Sequence, residues 1–293
     1  RSAHSANIKE RRDCSAAIFS PDGDMVMQAE HIPVHLGSMP ASVRAVVGKP
    51  HLPGVSWFLN DPYSGGTHLP DITVVTPAFA EVELIGFAAN RAHHADVGGS
   101  TPGSMPADST SLDDEGVIIP PRILDDESIL ETVTLMRQPG QRRADLRAQV
   151  AAIRAGVARL EAMAADRGRE GLMRAMGDVI TYAENRTRAE IEKFPDGVRS
   201  ASDVIESRDG DLQLKLEVTV DGSEIRFDFT GTAGPDRGNL NCPRAVTESA
   251  CLFAIRVLTD PDIPASSGSW RPVTVTIPEG CLLNAESPSA VVA

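Results

Sequence analysis

The seven histidines all fall before residue 95, among Asp and Gly residues in segments that read as loops between strands. In Asn60-Asp61-Pro62-Tyr63-Ser64-Gly65-Gly66-Thr67-His68-Leu69-Pro70-Asp71 the glycine pair permits a tight turn with positive φ. His68 and Asp71 follow, spaced so that an imidazole and a carboxylate converge on one ion. In the segment from Asn90 to Gly99, His93 and His94 come far enough after His68 for a strand to run out and return. Mixed His and carboxylate ligands suit Zn, Mn or Fe(II) and select none of them. A bound divalent ion lowers the pKa of its water and polarises a carbonyl oxygen, which is what amide hydrolysis requires. The alternative is that these side chains are hydrogen-bonding groups of the core and loops. Which ring of the His93-His94 pair faces the ion stays open; the other would shuttle protons or support the ligand.

Two further segments carry chemistry. His31-Ile32-Pro33-Val34-His35-Leu36-Gly37-Ser38-Met39-Pro40 places two histidines four apart, but Pro33 between them predicts an extended chain. His35 is then either structural or a proton carrier at the pocket. In Glu10-Arg11-Arg12-Asp13-Cys14-Ser15, Asp13 offers a carboxylate ligand or a surface ion pair. Cys14 and Ser15 are nucleophile types, yet no His stands beside them in sequence. There is no GxxxxGK[ST] phosphate loop, and Gly98-Gly99-Ser100-Thr101-Pro102-Gly103 lacks its Lys. GxSxG and HExxH are absent too. If the reaction uses ATP, another chain is expected to bind it.

The elements that must position these groups change character along the chain. Residues 1–125 read as a β-rich, loop-heavy region. A hairpin is predicted around Ser20-Pro21-Asp22-Gly23-Asp24, a strand over Val82 to Ala88, and a long loop over 98–116 that is either functional or a mobile excursion. Residues 126–197 read as a helical hairpin. Leu146, Val150, Ile153, Val157 and Leu160 mark one helix face, and a second helix spans roughly Gly171 to Lys193. Residues 198–293 read as an α/β region incomplete at its C-terminus: alternating Leu212 to Val220, a turn at Asp221-Gly222, a return strand to Phe229, a helix over Val246 to Leu258, and a strand over Val273 to Ile277. The fold class is α+β.

The 293 residues carry 41% hydrophobic and 24% charged side chains, the balance of a globular protein able to bury a core. A net charge of -13 argues against nucleic acid or an anionic membrane as partner. No apolar run is long enough for a transmembrane helix, and RSAHSANIKERRD has no apolar signal core. Cys14, Cys242, Cys251 and Cys281 form no CxxC pair, as expected of free thiols in a cytoplasmic protein. Without an initiator Met, and stopping at Ser-Ala-Val-Val-Ala, the chain reads as a piece of a longer polypeptide.

At these residues the sequence resembles the hydantoinase B/5-oxoprolinase family. The resemblance rests on ERRDCSAAIF, AEHIPVHLGSMP, NDPYSGGTHLPD and HHADVGGSTPGSMP with EGVIIPP behind it, then DLRAQVAAIRAG, FDFTGT and PEGCLLN. It covers essentially the whole chain and implies that both ends are truncated. It also implies a two-component machine. A separate hydantoinase A-like, ATP-binding subunit activates a small cyclic amide by phosphorylation, and this hydrolytic subunit opens the ring with metal-bound water inside a hetero-oligomer. Carried over by motif, the metal ligands are His68, Asp71 and His93, with Asp13 as the fourth; His94 or His35 moves protons, and the glycine pairs at 65–66 and 98–99 offer backbone N–H groups to an oxyanion or phosphate. Acetone and acetophenone carboxylases have related subunits, so ketone carboxylation is the alternative activity. A metal-stabilised assembly subunit without catalysis is the third. Ala144 stands where the family usually has Gly, and Leu135-Met136-Arg137 where it usually opens with Asn, which leaves the substrate class open.

Overall fold

The computed structural model describes residues 3–29 and 31–292, so Glu30 of the AEHIPVHLGSMP block lies outside the described residues. In chain order it contains α1 (Ala6–Lys9), β1 (Cys14–Phe19), β2 (Met25–Ala29), α2 (His35–Val47), β3 (Ser56–Leu59), a 3-10 turn (Pro62–Ser64), β4 (Asp71–Ala80), β5 (Glu83–His93) and α3 (Leu112–Glu115). Then follow β6 (Arg122–Leu124), α4 (Asp126–Thr134), α5 (Pro139–Arg167), α6 (Arg169–Ile191), β7 (Gly197–Ile205), β8 (Leu212–Asp221), β9 (Glu224–Asp228), α7 (Arg244–Leu258), α8 (Ser267–Trp270) and β10 (Val273–Thr276).

Two sheets organise the α+β chain. The larger runs β2-β1-β5-β4-β3-β6, antiparallel throughout; the smaller runs β10-β9-β8-β7, with β9 and β10 parallel. Because side chains alternate across a strand, the large sheet sorts its residues by parity. Ile72, Val74 and Ala88 pack with Leu146, Ile153 and Leu160 of α5 and with Leu172, Met176 and Ile180 of α6. Val75, Phe87 and Ala89 turn the other way, against Met39, Val43 and Val46 of α2. The sheet is thus the middle layer between the helical hairpin and α2. The smaller sheet packs Val220, Ile225 and Phe227 on Cys251 and Ile255 of α7.

The predicted helical hairpin exists, joined through Gly168 alone, whose φ of 72° permits the reversal. Its first helix starts earlier than the apolar pattern indicated, at Pro139, a residue suited to a first helical turn. The return strand predicted over 82–88 runs on to His93, and the β8–β9 hairpin turns at Gly222 with a φ of 56°.

The extended reading of residues 31–40 is overturned. Pro33 acts only up to the helix start, and α2 begins at His35 with Pro40 inside it. Tertiary packing supplies what local propensity lacked: Ser249 Oγ of α7 accepts the Gly37 N–H at 2.9 Å and donates to the Val34 carbonyl at 2.7 Å, satisfying the start of α2. The 98–116 segment is not an open excursion. A bridge between Gly98 and Gly116 closes it, and the Asp96 carboxylate accepts Gly98 N–H, Gly103 N–H, the Ser104 hydroxyl and Arg137.

Candidate metal centre

Strand register brings two of the sequence segments together. Asp71 and His93 are direct partners across β4 and β5, so their side chains leave the sheet on one face, the α2 side. The His93 N–H donates to the Asp13 carbonyl at 3.0 Å, which sets Asp13 Oδ2 3.8 Å from His93 Nδ1. His68 arrives from the turn that ends at Asp71, pinned by Asp71 N–H to the His68 carbonyl at 3.1 Å. Its Nε2 lies 3.1 Å from His93 Nδ1 and 3.6 Å from Asp71 Oδ1; His93 Nδ1 is 3.4 Å from the same oxygen. Asp71 Oδ2 takes the Thr67 hydroxyl at 2.5 Å and faces His35 Nε2 at 3.3 Å, while His35 Nδ1 is 2.8 Å from Ser15 Oγ.

Asp71 is 2% exposed, and its Oδ1 has no hydrogen-bond donor although two ring nitrogens face it. Burial alone would raise the Asp71 carboxyl; the surrounding His68, His35 and His93 outweigh it and hold the group well below the usual carboxylate range. Burial would lower His68; the Asp71 charge wins and raises it. A carboxylate that stays ionised beside an imidazole drawn toward its cationic form favours a positive charge between them. Ligand atoms about 2.0–2.2 Å from a four-coordinate ion lie roughly 3.2–3.6 Å apart. The separations among His68, Asp71 and His93 match that spacing, and their ligand atoms all fall within 4.8 Å of one another. These three could hold a divalent ion, and Asp13 stands at the rim with Oδ2 3.8 Å from His93 Nδ1. Asp13, His35 and Asp71 form an overlapping group on the Oδ2 side.

His94 is turned away. It leaves the sheet on the α5 side, fully buried, with Nε2 2.7 Å from Gln149 Oε1. Gln149 Nε2 in turn donates to the Ile72 carbonyl at 3.0 Å and to Asn90 Oδ1 at 3.1 Å. Burial pushes His94 down to about 4, so it is neutral near pH 7. The role of proton carrier therefore does not suit His94, whereas His35 lines the cavity and touches Asp71.

The glycine pairs also differ from expectation. Gly66 N–H is spent on the Asp61 carbonyl, Gly98 N–H on Asp96 and Gly99 N–H on Ser104 Oγ, so none of the three is offered to a ligand. These glycines allow close approach instead: a Cβ at Gly65 would stand 2.4 Å from the Ala41 carbonyl carbon, and one at Gly98 2.5 Å from the Leu135 oxygen. Burial, then Asp13, raise the Cys14 thiol, and Ser15, whose Oγ is 2.8 Å from His35 Nδ1, is 4% exposed; neither residue lines the cavity beside the cluster.

Arg91 was not anticipated. It sits two residues before His93, on the same face, as register partner of Thr73. It is fully buried, and its guanidinium donates to Thr73 Oγ1 at 2.8 Å, Ser42 Oγ at 2.7 Å, the Gly65 carbonyl at 3.1 Å and Ser38 Oγ. One side chain thus ties β4 and β5 to α2 and to the turn before His68. Burial lowers it to about 10 against the pull of Asp71. Its signal in the sequence was a charged residue of His93 parity inside a strand of small apolar residues.

Above the cluster opens a cavity of about 450 Å³. His68, Asp71 and His93 stand at its floor; Ile205, Leu240, Val246 and Leu283 wall the far side, with Asn241 and Cys242 as polar members. Ile32 and Val34 of the first region add to the apolar lining.

The model of the hydantoinase B/oxoprolinase family matches residues 1–293. The chain is 37% identical over 326 residues to 5-oxoprolinase 1 of Arabidopsis thaliana, covering 100% of this chain and 26% of that protein. It is similar to the crystal structure of the ATP-dependent caprolactamase from Pseudomonas jessenii, with a TM-score of 0.91 and 26% identity over 96% of this chain and 51% of that one. The nucleotide-free structure of acetone carboxylase has the same fold, at a TM-score of 0.91 and 19% identity over 99% of this chain and 42% of that one. The chain therefore spans a quarter to a half of the length of these relatives. Among the described residues no helix is long and apolar enough to cross a membrane.

Proposed function

The chain belongs to the hydantoinase B/oxoprolinase family, and from that premise we propose that it is the hydrolytic part of an ATP-dependent amidohydrolase that opens small cyclic amides such as 5-oxoproline, hydantoins or lactams. One observation carries the reading: the buried, donorless Oδ1 of Asp71 faces His68 and His93 at the floor of a half-apolar cavity. Zn, Mn or Fe suits that donor set. ATP activation is assigned to a hydantoinase A-like partner, acting as a separate subunit or within one longer polypeptide, as the length of the plant relative suggests.

His68, Asp71, His93 and Asp13 would hold the ion. When bound it supplies Lewis acidity, polarising a carbonyl oxygen and acidifying water. The chain's own residues do the rest. Asp71 stays ionised in its buried setting. His35 meets Asp71 Oδ2 through Nε2 at 3.3 Å and Ser15 Oγ through Nδ1 at 2.8 Å, so both ring nitrogens are engaged and its part is to orient the carboxylate that would hold the ion. The aliphatic wall receives the ring and excludes bulk water.

The test is ATP-dependent ring opening by the full-length protein with its ATP-binding partner, alongside anomalous scattering at metal edges. His93→Ala should abolish turnover with the complex still assembled. Retained turnover overturns the reading. Incorporation of labelled bicarbonate in place of ring opening would establish the carboxylase instead.

A further inference from the structure

β7 forms an edge of the smaller sheet. It pairs with β8 over nine consecutive positions, Gly197 to Ile205, without a bulge, and has no strand on its other side among the described residues. Every residue but Ile205 is exposed, so both faces as well as the edge meet water; Val198 is 60% and Val204 44% exposed. Natural edges of this length are blunted by charge, Lys above all, by Pro or by a bulge; β7 carries no Lys, Pro or bulge, and the two charges it has are of opposite sign. Its only charges, Arg199 and Asp203, stand symmetrically about Ala201 on one face of the strand. Both make only local bonds: Arg199 Nη2 donates to the Pro195 carbonyl at 3.0 Å, and Asp203 Oδ1 accepts the Val204 N–H at 2.8 Å.

We propose that β7 is a homodimer seam, along which a second copy of the chain lies antiparallel with Ala201 on the two-fold axis. In that register Arg199 faces the partner's Asp203, and the reciprocal pair forms by symmetry. Val198 meets the partner's Val204 twice in the same way. Charge selects the register. Centring the pair on residue 199 sets Arg199 against itself, centring it on 203 sets Asp203 against itself, and centring it on 200 or 202 leaves both charges opposite neutral residues. Asp203, which alone covers the outer strand's Val204 N–H, turns to arginine as that N–H enters the new ladder. The two small sheets become one continuous sheet. Ile205, at the end of β7, also lines the cavity over the metal cluster, so the seam braces one wall of the site.

Sedimentation velocity on the full-length protein, alone and with its ATP-binding partner, tests the seam. A concentration-dependent dimer is expected. Arg199→Asp or Asp203→Arg alone turns two attractive pairs into two repulsive ones and should weaken the dimer by about tenfold or more. The combined exchange of both residues should restore it to within about threefold, which also proves that the variants fold. Ala201→Cys should give a reducible covalent dimer, because a residue on this axis faces its own copy with Cα atoms about 4.5–5.5 Å apart. A protein monomeric at all concentrations overturns the proposal. So does a dimer indifferent to both single reversals, a dimer that Ala201→Cys does not cross-link, or a reversal that releases the ATP-binding partner from a monomer.

Discussion

The two faces of the large sheet are built from the same strands and could hardly differ more. On the α2 face, Asp71, His93 and Arg91 are charged or chargeable, and ring nitrogens crowd a carboxylate oxygen that no donor satisfies. On the α5 face, Asn90, His94 and Gln149 are also buried, but they bond one another and the Ile72 carbonyl, and His94 Nδ1 is their one side-chain atom left without a partner. The neutral network is what a folding chain does with polar groups it must bury. The other face leaves a carboxylate short of donors, which costs stability unless a cation completes it. Adjacent histidines thus fall on opposite faces, His93 beside the carboxylate and His94 within the scaffold.

Substitutions on either face sharpen this contrast. Asp71→Asn should have the largest effect, lowering divalent-metal affinity by roughly 100-fold or more by removing the anionic ligand, as read by calorimetric titration. Gln149→Leu should lower unfolding free energy by about 2–4 kcal/mol in urea, because His94, Asn90 and the Ile72 carbonyl all lose a partner. Its metal affinity should stay within about tenfold of the original; a loss as large as that of Asp71→Asn would erase the distinction between the faces. Acid should act through the scaffold face. His94 is held neutral at about 4 when folded against about 6.5 when unfolded, so the unfolded chain binds the extra proton between those values. Stability from this group is complete above about pH 6.5 and falls by about 2–3 kcal/mol as pH drops toward 4. His94→Gln should flatten that limb of the denaturation profile. The smallest effect expected is that of Arg91→Lys, which keeps the charge but loses the fork: about 1–2 kcal/mol of stability and up to about tenfold in metal affinity, with Arg91→Met costing more on both counts.

Much of the smaller sheet was legible because its pattern is local. Leu212 to Val220 alternate without interruption, and Gly222 punctuates them. β7 was not legible, since Arg199, Ser200, Ser202 and Asp203 break any apolar alternation; β8 alone defines it as a strand. The segment before His35 misled because Pro33 is a strong local breaker, while the Ser249 contact that starts α2 comes from the far end of the chain. The site was legible in residue type. Arg91 and the cavity wall at Ile205, Val246 and Leu283 were not, because nothing near them in sequence marks their distance to Asp71.

The amino-acid sequence by itself determined which chemistry is available, namely imidazoles and carboxylates crowded into the first 94 residues. Only the tertiary structure decided which parity faces the cavity. That choice belongs to the long-range packing of α5 on one side of the sheet and α2 on the other, and short-range periodicity carries no information about it.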